Sequence, residues 1–129
     1  MWRLAAKRTY IGQLEICAFV VAYLTFPDLL RGRLVHHFVD NESAIGALIA
    51  GGSPQPDSNV LVGLAHEELL RLVCRPWIGF VYSEDNWSDE PSRDKFDSLR
   101  AAGARFRECR WPSRTKVHAR TEGRVGHGL

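Results

Sequence analysis

Two short runs, RLVHHFVD over residues 33–40 and WIGFVY over residues 77–82, are rich in β-branched and aromatic residues. Helical periodicity fills the chain between them. Strands that are separated by helices cannot be joined as a hairpin, so they favour an α/β fold with at least one parallel pair. The first run is apolar at nearly every position apart from His36 and His37. That pattern predicts a central strand covered on both faces. Asp40 closes the run, at the carboxyl end of the strand, where open α/β sheets place functional groups.

The helices are delimited by equally local signals. From Glu15, the positions Glu15, Phe19, Ala22 and Phe26 share a helical face, while Ile16, Val20, Tyr23 and Leu24 cover much of the rest. A helix so apolar is packed on more than one side. It is expected to begin around Tyr10 to Leu14 and to end at Pro27 or at Arg31-Gly32. Asn41 or Ser43 is a cap for a helix over residues 42–49, which Gly51-Gly52 stops. Asp57 or Ser58 is the expected cap of a helix over 59–73, whose Leu61, Leu64, Ala65, Leu69 and Leu72 form a buried stripe. Arg75-Pro76 is read as its break, Asp85-Asn86 as a turn, Ser88 to Arg93 as a short helix, and residues 94–106 as a helix weakened by Gly103.

At 129 residues the chain fits one domain and is long enough to bury a core without staples. Its hydrophobic content of 45% and charged content of 25% are those of an ordinary globular protein. The net charge of +2 says little about partners, but the charge is uneven. Arg3, Lys7 and Arg8 precede any acid, and Arg110, Arg114, Lys116, Arg120 and Arg124 face only Glu122 at the other end. Basic ends of this kind suit phosphate contacts or a solvated tail. Cys17, Cys74 and Cys109 are odd in number, widely spaced and without a CxxC pair, which argues against a disulfide framework or a zinc site. Cys17 and Cys74 read as small buried hydrophobes, and an intracellular setting, cytoplasm or nucleus, is expected. The apolar stretch from Leu14 to Leu30 is interrupted by Glu15, Pro27 and Asp28, and falls short of the roughly 20 residues of a spanning helix. A membrane-associated protein built on residues 14–30 is the competing reading. The buried stripe of the 59–73 helix, which needs a core partner, speaks against it.

Three carboxylates stand at the edges of these elements. They are Glu15 on the first helix, Asp40 after the first strand, and Asp89 in Asn86-Trp-Ser-Asp89-Glu-Pro-Ser-Arg93. Carboxylates gathered by a fold hold hard divalent cations, which want oxygen ligands. Each has a plainer role open to it: Glu15 and Asp89 as acids at helix starts, Asp40 as a cap, Asn86 as the cap before Asp89. His36 and His37 alternate across a strand and so cannot face one ligand. Trp77 and Trp87 suit stacking on bases, with packing the commoner role. Arg93 has phosphate, Asp89, Glu90 and Asp94 as candidate partners.

Taken together, Tyr10-Ile-Gly-Gln-Leu-Glu15, Asp40-Asn41 and Asn86-Trp-Ser-Asp89-Glu-Pro-Ser-Arg93 resemble the ribonuclease H domain of retroelement reverse transcriptases. In that family a glutamate lies on the first helix, an Asp-Asn pair ends the next strand, and a last aspartate lies in an Asn-x-Ala-Asp-x-x-Ser-Arg segment. Ser88 stands here in place of the alanine. The resemblance covers about residues 10–93. It implies a ribonuclease H-like mixed sheet with flanking helices over 1–93, followed by a C-terminal helix and basic tail over 94–129. It implies hydrolysis of RNA in an RNA–DNA hybrid, with Mg²⁺ or Mn²⁺ held by Glu15, Asp40 and Asp89, and with Asn41, Asn86 and Arg93 on the nucleic acid. The family fold opens on a hairpin whose first strand supplies a further aspartate that bridges two ions. No Asp or Glu precedes Glu15, and the expectation is a domain lacking its first strands, with activity impaired. Its alternative is a remnant that binds nucleic acid without cleaving it.

Overall fold

The computed structural model describes residues 10–113. The two apolar runs pair as parallel strands, β1 (Leu34–Val39) and β2 (Arg75–Phe80), in the register Leu34↔Arg75 through Val39↔Phe80. Between them run α3 (Glu42–Ala50) and α4 (Pro56–Leu72), and before them α1 (Tyr10–Thr25) and the single turn α2 (Pro27–Leu30). After β2 come a 3₁₀ turn at Ser83–Asp85 and two short helices, α5 (Asp89–Ser92) and α6 (Asp97–Ala101). The architecture is therefore mixed α/β. Among the described residues the sheet has two strands, both parallel, where a mixed sheet was expected.

Both expected stops of the first helix operate. The α-helix ends at Thr25 ahead of Pro27, which opens α2 at its first position, and Gly32 then turns the chain at φ 68°. Asn41 caps α3, its side-chain oxygen accepting from Ala44 N–H at 2.9 Å, and Gly51 ends the helix in the left-handed region at φ 76°. Helix α4 begins three residues earlier than its apolar stripe indicates. Pro56 takes the first helical position, where its missing N–H costs nothing, and neither Asp57 nor Ser58 acts as cap. It ends on Val73, a β-branched residue held at φ 53°. Helix α6 is far shorter than the 94–106 reading, because Gly103 at φ 84° ends what Asp97 begins.

Pro76 is not a break before β2 but its second residue. The amides of Arg75 and Val81 donate to Arg33 and Val39 on the β1 side. Groups alternate along a strand, so the nitrogen of Pro76 points to the open edge, where no N–H is needed.

Helices cover one face of the sheet. Phe19, Val20 and Tyr23 of α1, Ala44 and Leu48 of α3, and Val62, Ala65, Leu69 and Leu72 of α4 form the core with Val39 and Cys74. Helix α1 packs chiefly on α4. His37 points into this core. Its ring stacks on Phe19 at 4.4 Å and shares a hydrogen bond of 3.2 Å with the Tyr23 hydroxyl. Burial lowers the His37 pKa and raises that of Tyr23, so both stay neutral. Cys74 is buried, whereas Cys17 is only half-buried.

Among the described residues the other face is bare, contrary to the expectation of a strand covered on both sides. Leu34 is 79% exposed, Phe38 60% and Trp77 71%. Trp87 is likewise exposed rather than packed. Past α6 the chain returns to the end of α1: Arg110 N–H donates to the buried Thr25 hydroxyl at 3.0 Å, and Arg107 lies against Asp28 and the Phe26 ring. The basic residues from Arg114 onward, with Arg3, Lys7 and Arg8, lie outside the described residues. No helix among the described residues is long and apolar enough to cross a membrane.

Candidate functional site

Glu15 and Asp40 meet. Glu15 lies on the second turn of α1, three residues after Gly12 and so on the same face. A side chain at position 12 would place its first carbon 3.0 Å from the Ser43 hydroxyl and 3.7 Å from the Asn41 side-chain oxygen. Glycine therefore lets α1 lie against the start of α3, one residue beyond Asp40. Asp40 itself follows the buried Val39 at the end of β1, and strand pairing fixes its backbone. Because Asn41 supplies the cap of α3, the Asp40 carboxylate is not consumed by that role.

The pair is electrostatically loaded. Partial burial raises the Glu15 pKa first, the negative charge of Asp40 raises it further, and protonated Glu15 hydrogen-bonds to Asp40. Two neighbouring carboxylates favour keeping a proton or gaining a cation between them.

Asn86 joins the pair from the far side of β2. Its side-chain NH₂ donates to Asp40 Oδ2 at 3.1 Å, while its oxygen accepts from Ser88 N–H at 3.1 Å and from Ser88 Oγ at 2.6 Å. Asn86 thus fixes the carboxylate orientation and the 86–88 turn together. Asp89 lies in the first turn of α5 and pairs with Arg93 at 3.1 Å, one of the partners foreseen for that arginine. Asp89, Asn86, Trp87 and Arg93 share a polar depression of about 640 Å³. Asp89 does not complete a three-carboxylate group: among the described residues no three His, Cys, Asp or Glu side chains stand close enough together to hold a metal ion.

Of the residues expected on nucleic acid, Asn41 has its oxygen engaged by Ala44 N–H and by the Ser43 hydroxyl at 2.8 Å, and Asn86 is turned toward Asp40. Arg93 remains 68% exposed beyond its ion pair. Two contributions escaped the sequence reading. Gly12 inside a helical pattern is a signal of close approach that passed unused. The Asn86–Asp40 bond spans 46 positions and leaves no local trace.

No family model, curated protein or solved structure matches the chain.

Proposed function

We propose that the chain is a ribonuclease H-like domain that takes a divalent cation at Glu15 and Asp40 and hydrolyses the RNA strand of RNA–DNA hybrids. The observation that carries this reading is the Glu15–Asp40 pair at the carboxyl end of β1, with the Glu15 pKa raised by its surroundings. The donor set fits Mg²⁺ or Mn²⁺, since Mg²⁺ is commonly bound by one or two carboxylates together with water and substrate phosphate. When bound, such an ion activates water and offsets charge on phosphate oxygens.

The chain's own residues do the rest. Asn86 holds the Asp40 carboxylate in one orientation, so that pairing with a cation costs little rearrangement. Glu15, whose pKa burial and the Asp40 charge raise, would hold the cation together with Asp40. Arg93, 68% exposed, is placed to reach a phosphate.

The test is cleavage of a labelled RNA–DNA hybrid by the full chain. Cleavage that requires Mg²⁺ and is lost in Asp40→Asn is the expected result. Hybrid left intact at every Mg²⁺ and Mn²⁺ concentration would sink the hydrolytic reading. A second reading, hybrid binding without turnover, is favoured by Asp89 standing outside the Glu15–Asp40 pair, in an ion pair with Arg93. Tight binding of uncleaved hybrid is its signature.

A further inference from the structure

The helices lie against Val35, His37, Val39 and Ile78, and among the described residues the opposite face of the sheet is open. In-register partners of parallel strands point the same way, so Leu34 with Arg75, His36 with Trp77, and Phe38 with Gly79 make up that face. Its chemistry is uneven in a telling way. It holds no carboxylate. Phe38 and Trp77 are 60% and 71% exposed and lie side by side, since a side chain on Gly79 would meet the Phe38 ring at 3.4 Å and Trp77 at 4.0 Å. Gly79 thus keeps the space between the two rings low and flat.

Cations gather at one end. Arg75 stands on this face in register with Leu34, its N–H bonded to the Arg33 carbonyl at 2.9 Å, and Arg31 and Arg33 lie in the chain just before β1. All three side chains are exposed and make no ion pair among the described residues. Exposed aromatics beside unpaired arginines complement a polyanion with flat apolar groups. Single-stranded nucleic acid has that composition, with phosphates for the arginines and base faces for the rings. A duplex keeps its bases stacked inside and offers the rings nothing.

We propose that the outer face of the β1–β2 sheet binds single-stranded nucleic acid, with Phe38 and Trp77 stacking on bases and Arg75 on the phosphates. The face is separate from the carboxylate pair, because Glu15 belongs to α1, which packs on the inner side. The proposal stands without the hydrolytic reading, since it uses neither Glu15 nor Asp40.

The test is fluorescence anisotropy of a labelled oligouridylate of about twelve nucleotides with the full chain in EDTA, so that no cation-dependent event contributes. Saturable binding is expected, weakened about tenfold by Trp77→Ala and by Phe38→Ala, and retained by Trp77→Phe. Arg75→Gln should flatten the dependence of log affinity on log salt by about 0.7, the share of one phosphate contact on a single strand. Circular dichroism confirms that each variant is folded. Absence of binding overturns the proposal, as does an affinity that Trp77→Ala and Phe38→Ala leave unchanged. A stable dimer by sedimentation velocity, dissociated by the same substitutions, also overturns it by assigning the face to a second copy.

Discussion

Glu15 carries opposite consequences with and without a cation. Its pKa is raised by partial burial and then by Asp40, so the protonated form is the one the fold favours. Stability from that proton is complete below the ordinary carboxylate range and is lost as pH rises through the raised folded-state value. At neutral pH and without metal, the charged pair therefore weakens the fold. Glu15→Gln keeps a hydrogen-bond donor and removes the charge. A pair this solvated is worth at most about 1 kcal/mol, so the substitution should raise the melting temperature by less than about 4 °C at pH 7. The gain should vanish in acid. Mg²⁺ should raise the melting temperature of the wild type and leave Glu15→Gln unmoved, as differential scanning fluorimetry across pH will show. Much of this neighbourhood was readable from residue types. Asp40-Asn41 after an apolar run and Glu15 on an apolar helix both announce element edges, and Asn41 took the cap as its type demands. Which edges then meet is decided by Gly12 and by strand pairing, and neither leaves a mark beside the acids themselves.

Boundaries set by a single residue were harder to read at the scale of elements. The α3 cap and stop are local chemistry and fell where Asn41 and Gly51 put them. The end of α4 is different, because no glycine marks it. Val73 is forced to φ 53°, and its amide bonds back to Leu70 while Cys74 bonds to Leu69. A β-branched residue in the left-handed region costs about 1–2 kcal/mol. Packing of Leu72 and Cys74 on either side holds it there. Val73 is exposed, so Val73→Gly removes strain without emptying the core. After the entropy that glycine adds to the unfolded chain, it should stabilise by about 0.5–1 kcal/mol, seen as a higher urea midpoint with an unchanged slope. Pro76 misled for a related reason. Whether proline breaks a strand or fits it depends on which side its nitrogen faces, and that is fixed by a partner 41 positions away (Val35 to Pro76).

As a whole molecule, the protein puts its helices on one face of a two-stranded sheet and leaves both strand edges open among the described residues. Open edges invite pairing with other chains unless something blunts them. Pro76 does this for β2 by withholding an N–H where a neighbouring strand would seek one. Pro76→Thr should restore the donor and promote concentration-dependent association, measurable by sedimentation velocity, with little change in the far-ultraviolet spectrum. The sequence implied the α/β order and the parallel pair but overstated the cover on the sheet. Apolar residues on an outward face look the same in sequence as apolar residues in a core, and only the arrangement of the helices tells them apart.

The hydrogen bond from Asn86 to Asp40 has a consequence in time as well as space. It closes 46 positions of chain, within which α3, α4 and β2 must all be formed and in register. Glu15 and Asp40 are synthesised well before the donor that orients Asp40. Closing so long a loop is an entropic expense that only the finished crossover repays. The oriented carboxylate pair is thus a property of the completed chain, absent from every nascent length that stops short of residue 86.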